Sequence, residues 1–215
     1  MSATRWALQS PARFDFTAPN GTRCRGADQE WYRDSWQRKA GCGPTTAATC
    51  LFYLSEGNPA LAAIAPPEGR LATKFVSYME AVWQQVTPTI KGLNSLALYW
   101  GGALEFARLR GCHLAYAELA IPGKMGGERP SLAEISDFLR EQLSADRPVA
   151  FLNFSNGALE NLESWHWVPL IWAEAEGDAL RCGILDEGLE KTIDLSLWHQ
   201  TSLRGGGFVA LWGEA

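Results

Sequence analysis

The sequence predicts an α+β protein, with helices in its first half and a twisted antiparallel sheet in its second. Three observations predict this. Apolar residues recur at helical spacing up to about residue 110, and the period shortens to that of strands after about residue 148. Between the two regimes, Ile121 to Pro130 carries Pro122, Gly123, Gly126, Gly127 and Pro130, the composition of a connection.

Taken in order, residues 1–36 read as an irregular arm punctuated by Pro11, Pro19 and Gly21. Gly41-Cys42-Gly43-Pro44 then opens a helix, with Ala47, Cys50, Leu51 and Leu54 at helical spacing and Gly57 and Pro59 to end it. A second helix is expected over 72–86, with Phe75, Met79, Val82 and Val86 on one stripe. Asn94 or Ser95 can cap a third that runs to about Arg110, weakened by Gly101-Gly102. Ser131-Leu132-Ala133-Glu134 has the form of a capping box, followed by Ile135, Phe138 and Leu139 on a helical stripe. Strands are expected over 148–154, 166–173, 179–186 and 207–212, the second and third joined through a turn at Gly177-Asp178. The organisation is one domain over 1–215: an arm (1–36), a mostly helical part (37–120) and a mostly sheet part (131–215).

A chain of 215 residues can bury a full core. Its net charge of -5 and the absence of any Lys/Arg-rich run argue against nucleic acid or an anionic membrane as partner. No stretch approaches the ~20 apolar residues of a membrane span, and Met1 to Trp6 lacks the apolar run of a secretory signal. The five cysteines (24, 42, 50, 112 and 182) are odd in number and unpaired in spacing, which suits free thiols in a reducing, cytoplasmic setting. No Cys-x-x-Cys or His-x-x-x-His spacing and no phosphate loop occurs, so neither a metal nor another cofactor is expected. The ten tryptophans are a large apolar payload whose N–H groups need partners wherever they are buried.

Cys42 is the cysteine whose setting points to chemistry. A reactive thiol must ionise, and a helix N-terminus favours the anion through unpaired N–H groups and the helix dipole. Gly41 and Gly43 allow a tight turn and close approach of a substrate, and Pro44 suits the first helical turn. The plain alternative is a small buried residue near a cap, which is the reading adopted for Cys50, Cys112 and Cys182. Of the three histidines, His113 and His199 read as structural. His166 heads an apolar strand between Trp165 and Trp167, a setting that excludes water from a Cys–His pair. Asp186 ends the following strand, so antiparallel pairing returns it beside His166, where a carboxylate can fix the imidazole tautomer. It is also a natural turn residue, and the two roles are compatible. Glu187 and Asp194 are weaker candidates. Developing negative charge on a substrate needs donors: the Cys42 backbone N–H is one, and Gln37 is either the second or an ordinary surface glutamine. Trp100, Trp165 and Trp167 are expected as pocket walls.

These residues together resemble the papain-like cysteine peptidase superfamily, within it the double-glycine (bacteriocin-processing) peptidase-like branch. The resemblance rests on Gln37 ahead of Gly41-Cys42-Gly43-Pro44-Thr45-Thr46-Ala47-Ala48, then His166-Trp167-Val168, then Ile184-Leu185-Asp186, and spans about Gln37 to Trp212. It implies a helical lobe carrying the cysteine and a sheet lobe carrying His166 and Asp186, with a cleft between them. It also implies Cys42 as nucleophile, His166 as general base and acid, Asp186 as the orienting group and Gln37 as oxyanion donor. The chain departs from the family in the slightly closer spacing of Gln37 to Cys42, and from the branch in having Glu187, not proline, after Asp186. The expected function is a thiol hydrolase acting on a peptide or small amide substrate through an acyl-enzyme. An acyl or peptidyl transferase on the same scaffold, similar to phytochelatin synthase, and a non-catalytic peptide-binding module are the alternatives. Oligomeric state is not legible.

Overall fold

In a computed structural model that describes residues 3–66 and 69–214, the chain is α+β. The order of elements is β1 (Thr4–Ala7), β2 (Asp15–Thr17), β3 (Arg23–Arg25), α1 (Ser35–Ala40), α2 (Cys42–Gly57), α3 (Ala72–Trp83), α4 (Leu96–Arg108), β4 (Leu114–Ile121), α5 (Leu132–Ser144), β5 (Val149–Asn153), β6 (His166–Glu176), β7 (Ala179–Asp186), β8 (Leu189–Asp194), α6 (Leu195–Thr201) and β9 (Gly206–Gly213). The main sheet runs β4-β9-β5-β6-β7-β8, with every pair antiparallel. β1 continues the edge of β6 beyond the end of β5, through Thr4↔Ala175 to Ala7↔Trp172.

The sheet is covered on both faces, as alternation along β5 demands. Ala150 and Leu152 face the core shared with α2, α3 and α4, whereas Val149 and Phe151 face the core shared with α5 and α6. α2 is buried almost all round, from Gly43 to Ser55, which is why its sequence is small and apolar with few polar side chains. Thr49 keeps its hydroxyl satisfied inside the core by donating to the Thr45 carbonyl at 2.8 Å. Leu51 has no exposed surface, and truncating such a residue to alanine costs about 2–5 kcal/mol.

Two readings from the sequence need correction. The opening stretch is not irregular: β1 joins the sheet, β2 and β3 form a hairpin, and Phe14, Phe16 and Tyr32 are buried. These segments are short and lack long alternation, so tertiary pairing rather than local pattern sets them. β4 precedes the Gly/Pro-rich connection yet pairs with β9 over its whole length, so the sheet draws strands from both sides of that connection. The helix expected over 72–86 ends at Trp83, and the capping box at Ser131 and Glu134 is present in both directions. Among the described residues, no helix is long and apolar enough to cross a membrane.

Candidate active site

Cys42 is the first residue of α2, and its N-cap, Gly41, contributes no side-chain hydrogen bond to the helix. The N–H groups of the first turn are therefore not occupied by a capping side chain, and an anion at the thiol meets them and the positive end of the helix dipole. The glycines on either side serve packing more than turning. Gly41 has an ordinary φ of -85°, and a methyl group there would collide with the Gln37 carbonyl and the Tyr32 ring. A methyl group on Gly43 would press into Leu93. Removing the Cβ at both positions lets α1 and the 88–93 loop close in around the cysteine.

His166 begins β6 opposite Asn153 of β5, and Asp186 ends β7. Asp186 sits just before a tight two-residue turn, Glu187-Gly188, in which both residues have positive φ (54° and 73°), the geometry that suits the twist of a hairpin. In the β6–β7 ladder a one-residue register shift between Leu170 and Trp172 puts Asp186 on the same face as His166, and His166 Nε2 lies 2.7 Å from Asp186 Oδ1. Both side chains are largely buried, at 12% and 6% exposure. With Nε2 so engaged, Nδ1 is the ring nitrogen left for the Cys42 thiol, whose hydrogen bond and charge act on the same imidazole.

No protein-family model matches the chain, and no curated protein matches it either. Among solved structures, the crystal structure of the Pseudomonas avirulence protein AvrPphB is similar at 11% identity over 79% of this chain and 90% of that chain, with a TM-score of 0.32. So slight a likeness carries no argument. The site has to speak for itself.

Its electrostatics are those of a paired imidazolium. Burial alone pulls His166 down. The hydrogen bonds to Asp186 and Cys42, and the charges on both, outweigh burial and push it up to about 10. Burial alone raises Asp186, but His166 and then Lys191 hold it below its ordinary value. Burial, by contrast, pushes up the thiols of Cys24, Cys182 and Cys50, the last to about 12, so these three stay protonated. His199 is held by the Pro130 carbonyl at 2.9 Å and His113 is exposed, both away from the cysteine.

Two residues that the sequence did not single out stand beside this group. Lys191 donates to Asp186 Oδ2 at 2.8 Å and to Glu187 at 2.7 Å. It lies opposite Ile184, two residues from Asp186 on the same face of β7, so the strand register alone brings it diagonal to the carboxylate. Gln29 lines a small cavity of ≈ 50 Å³ together with Cys42, His166 and Asp186, and its side-chain oxygen is buried without a hydrogen-bond partner. Gln37 lies in α1, half-buried, and lines neither this small cavity nor a larger one, of ≈ 250 Å³, that also borders Cys42. Trp165 and Trp167 line the second of these cavities. Trp100 stands elsewhere, stacked on Tyr116 with its N–H on Glu118.

Proposed function

We propose that this chain is a papain-like thiol hydrolase that cleaves an amide bond through an acyl-enzyme on Cys42. The observation that carries the reading is the convergence of a cysteine at an uncapped helix N-terminus with a buried histidine whose far nitrogen is fixed by a carboxylate. Each group has a role in that chemistry. The Cys42 thiolate attacks the substrate carbonyl while the α2 N-terminus, with its Cys42 backbone N–H, supports the developing oxyanion. The His166 imidazolium gives its proton to the leaving amine as the carbon–nitrogen bond breaks, leaving a thioester on the sulfur. Neutral His166 then takes a proton from water, whose oxygen attacks the thioester and releases the acid and the thiolate. Asp186 keeps the imidazole turned towards the sulfur throughout, and Lys191 holds the other oxygen of that carboxylate.

The second oxyanion donor is Gln37 on the family resemblance. Gln29 competes for the role because its amide lies in the cavity shared by Cys42 and His166, and a half-turn about its last bond exchanges oxygen for NH₂. The reading is tested by incubating the protein with a diverse peptide mixture and sequencing the products by mass spectrometry. Wild type should generate new termini and a transient acyl adduct on Cys42, and Cys42→Ala should generate neither. New termini that persist in Cys42→Ala would overturn the assignment.

A further inference from the structure

The ≈ 50 Å³ cavity behind Cys42 has room for little more than a water molecule or two. A larger groove, of ≈ 250 Å³, also borders Cys42. Its walls are unusual for a surface. Trp36 is 45% exposed, Trp165 is 48% exposed and Ile90 is 91% exposed, and all three converge on the groove that Cys42 borders.

The structure holds these apolar groups out on purpose-built supports. Trp165 has φ +58°, a conformation that strains a bulky residue and persists only where neighbours enforce it. Here the enforcement comes from the loop before it: the buried Asn153 amide donates to the Glu163 carbonyl at 2.6 Å, and Asn156 and Ser164 bond to each other at 2.9 Å. The Trp165 ring then stacks edge-on against Phe154 at 4.8 Å. Ile90 sits at the tip of a tight turn closed by Thr89 and Gly92 in both directions. The base of that turn is fastened to the site, since Trp167 Nε1 donates to the Leu93 carbonyl at 2.7 Å.

Charge singles out the occupant. The charged side chains that line the groove are Lys39 and Lys91, both exposed, and neither ammonium has a partner among the described residues. A third cation, Arg204, lies over the Trp165 ring, 5.7 Å from its centre. The carboxylates near Cys42, including Glu163 and Glu187, line the small cavity instead. On a chain of net charge -5, a groove lined by lysines and no acids runs counter to the prevailing charge and favours an acidic ligand. We propose that this groove binds a peptide segment carrying a bulky apolar side chain next to a carboxylate, with Trp36, Trp165 and Ile90 taking the apolar group and Lys39 and Lys91 the acid. The proposal rests on the hydrolase reading of Cys42 and names the substrate class for that site.

The test uses two C-terminally amidated probes, iodoacetyl-Phe-Glu and iodoacetyl-Phe-Lys. In each, the Cys42 thiolate displaces iodide and the dipeptide enters the groove. The glutamate probe should alkylate Cys42 about tenfold faster than the lysine probe at low salt, since two part-exposed ion pairs each contribute about two- to fivefold. The ratio should shrink in high salt and invert in Lys39→Glu/Lys91→Glu, while Trp36→Ala should slow both probes. A ratio of one or below, with plain iodoacetamide still labelling Cys42 quickly, overturns the groove assignment and leaves the hydrolase reading standing. Slow labelling by iodoacetamide itself overturns the hydrolase reading. The groove is then judged by equilibrium binding of acetyl-Phe-Glu and acetyl-Phe-Lys amides to Cys42→Ala, where equal affinities refute it and preference for the acid upholds it.

Discussion

Replacing Asp186 by asparagine keeps the size of the side chain and removes its charge from the buried imidazole 2.7 Å away. The carboxylate is one of two groups that lift His166 to about 10 against the downward pull of burial, the other being Cys42. An opposite charge at such a distance moves a pKa by about 1–3 units, so the His166 titration should fall by that amount in Asp186→Asn. At about 1.4 kcal/mol per unit, this is a loss of about 1–4 kcal/mol of folding stability where the wild-type pair is fully formed. The pH dependence has a definite sign. His166 is raised, so its contribution is full below about pH 6.5 and fades as pH climbs towards 10. Asp186 is depressed, so its contribution is present above its ordinary value of 3.8 and is lost as pH falls through its lowered value. The stability gap between wild type and variant should therefore be widest between about pH 4 and 6.5 and should close on either side.

The assay is a ring-proton NMR titration of the histidines alongside thermal melts across that pH range. The chain has three histidines, and His199 provides an internal contrast: burial, with the nearby Arg129 charge, holds it below the usual value despite its bond to the Pro130 carbonyl. A wild-type His166 that titrates near 6.5, or an Asp186→Asn variant with an unmoved His166, refutes the electrostatic reasoning.

Other outcomes follow from the same geometry. Lys191→Met should strip Asp186 Oδ2 of its donor and destabilise by about 1–3 kcal/mol, which for a chain of this size lowers the melting temperature by about 2–12 °C; a differential scanning melt reads this directly. Its Asp186 should also titrate higher than in wild type, a shift that a packing role alone would not produce. Gln29→Ala and Gln37→Ala separate the two oxyanion candidates, because loss of a true donor lowers kcat by about 10²–10³ whereas loss of a bystander leaves it within a few fold. Gly41→Ala should destabilise by about 1–3 kcal/mol in denaturant unfolding, since the added methyl meets the Gln37 carbonyl and the Tyr32 ring with nowhere to move.

Much of the fold was legible where local signals are strong. The helix that begins at Cys42, the capping box at Ser131 and the strand pair expected over 166–173 and 179–186 announce themselves by periodicity, by cap chemistry and by a glycine turn, although the first strand runs on to Glu176. From these the return of Asp186 to the neighbourhood of His166 follows, but counting back from the turn alone would set it opposite Pro169, on the other face; the one-residue bulge between Leu170 and Trp172 turns it to the face of His166. What stayed hidden depends on partners distant in sequence. β1 is four residues that become a strand on meeting β6, and Gln29 comes to Cys42 at the start of a single 3-10 turn, Gln29–Trp31, capped by Asp28. Lys191 was within reach of the same counting argument, one strand further on, once the Glu187-Gly188 turn was recognised. In the sequence the glycines around Cys42 suggest freedom of turning, whereas the structure uses their missing side chains to bring Tyr32 and Leu93 close.

The most direct test of the central claim is the rate of iodoacetamide alkylation at each cysteine between pH 6 and 8, located by peptide mass spectrometry in wild type and His166→Ala. An activated Cys42 predicts fast labelling confined to that residue and a marked slowing once His166 is gone. Labelling of Cys42 no faster than a free thiol, or of Cys24 or Cys50 ahead of it, would contradict the account.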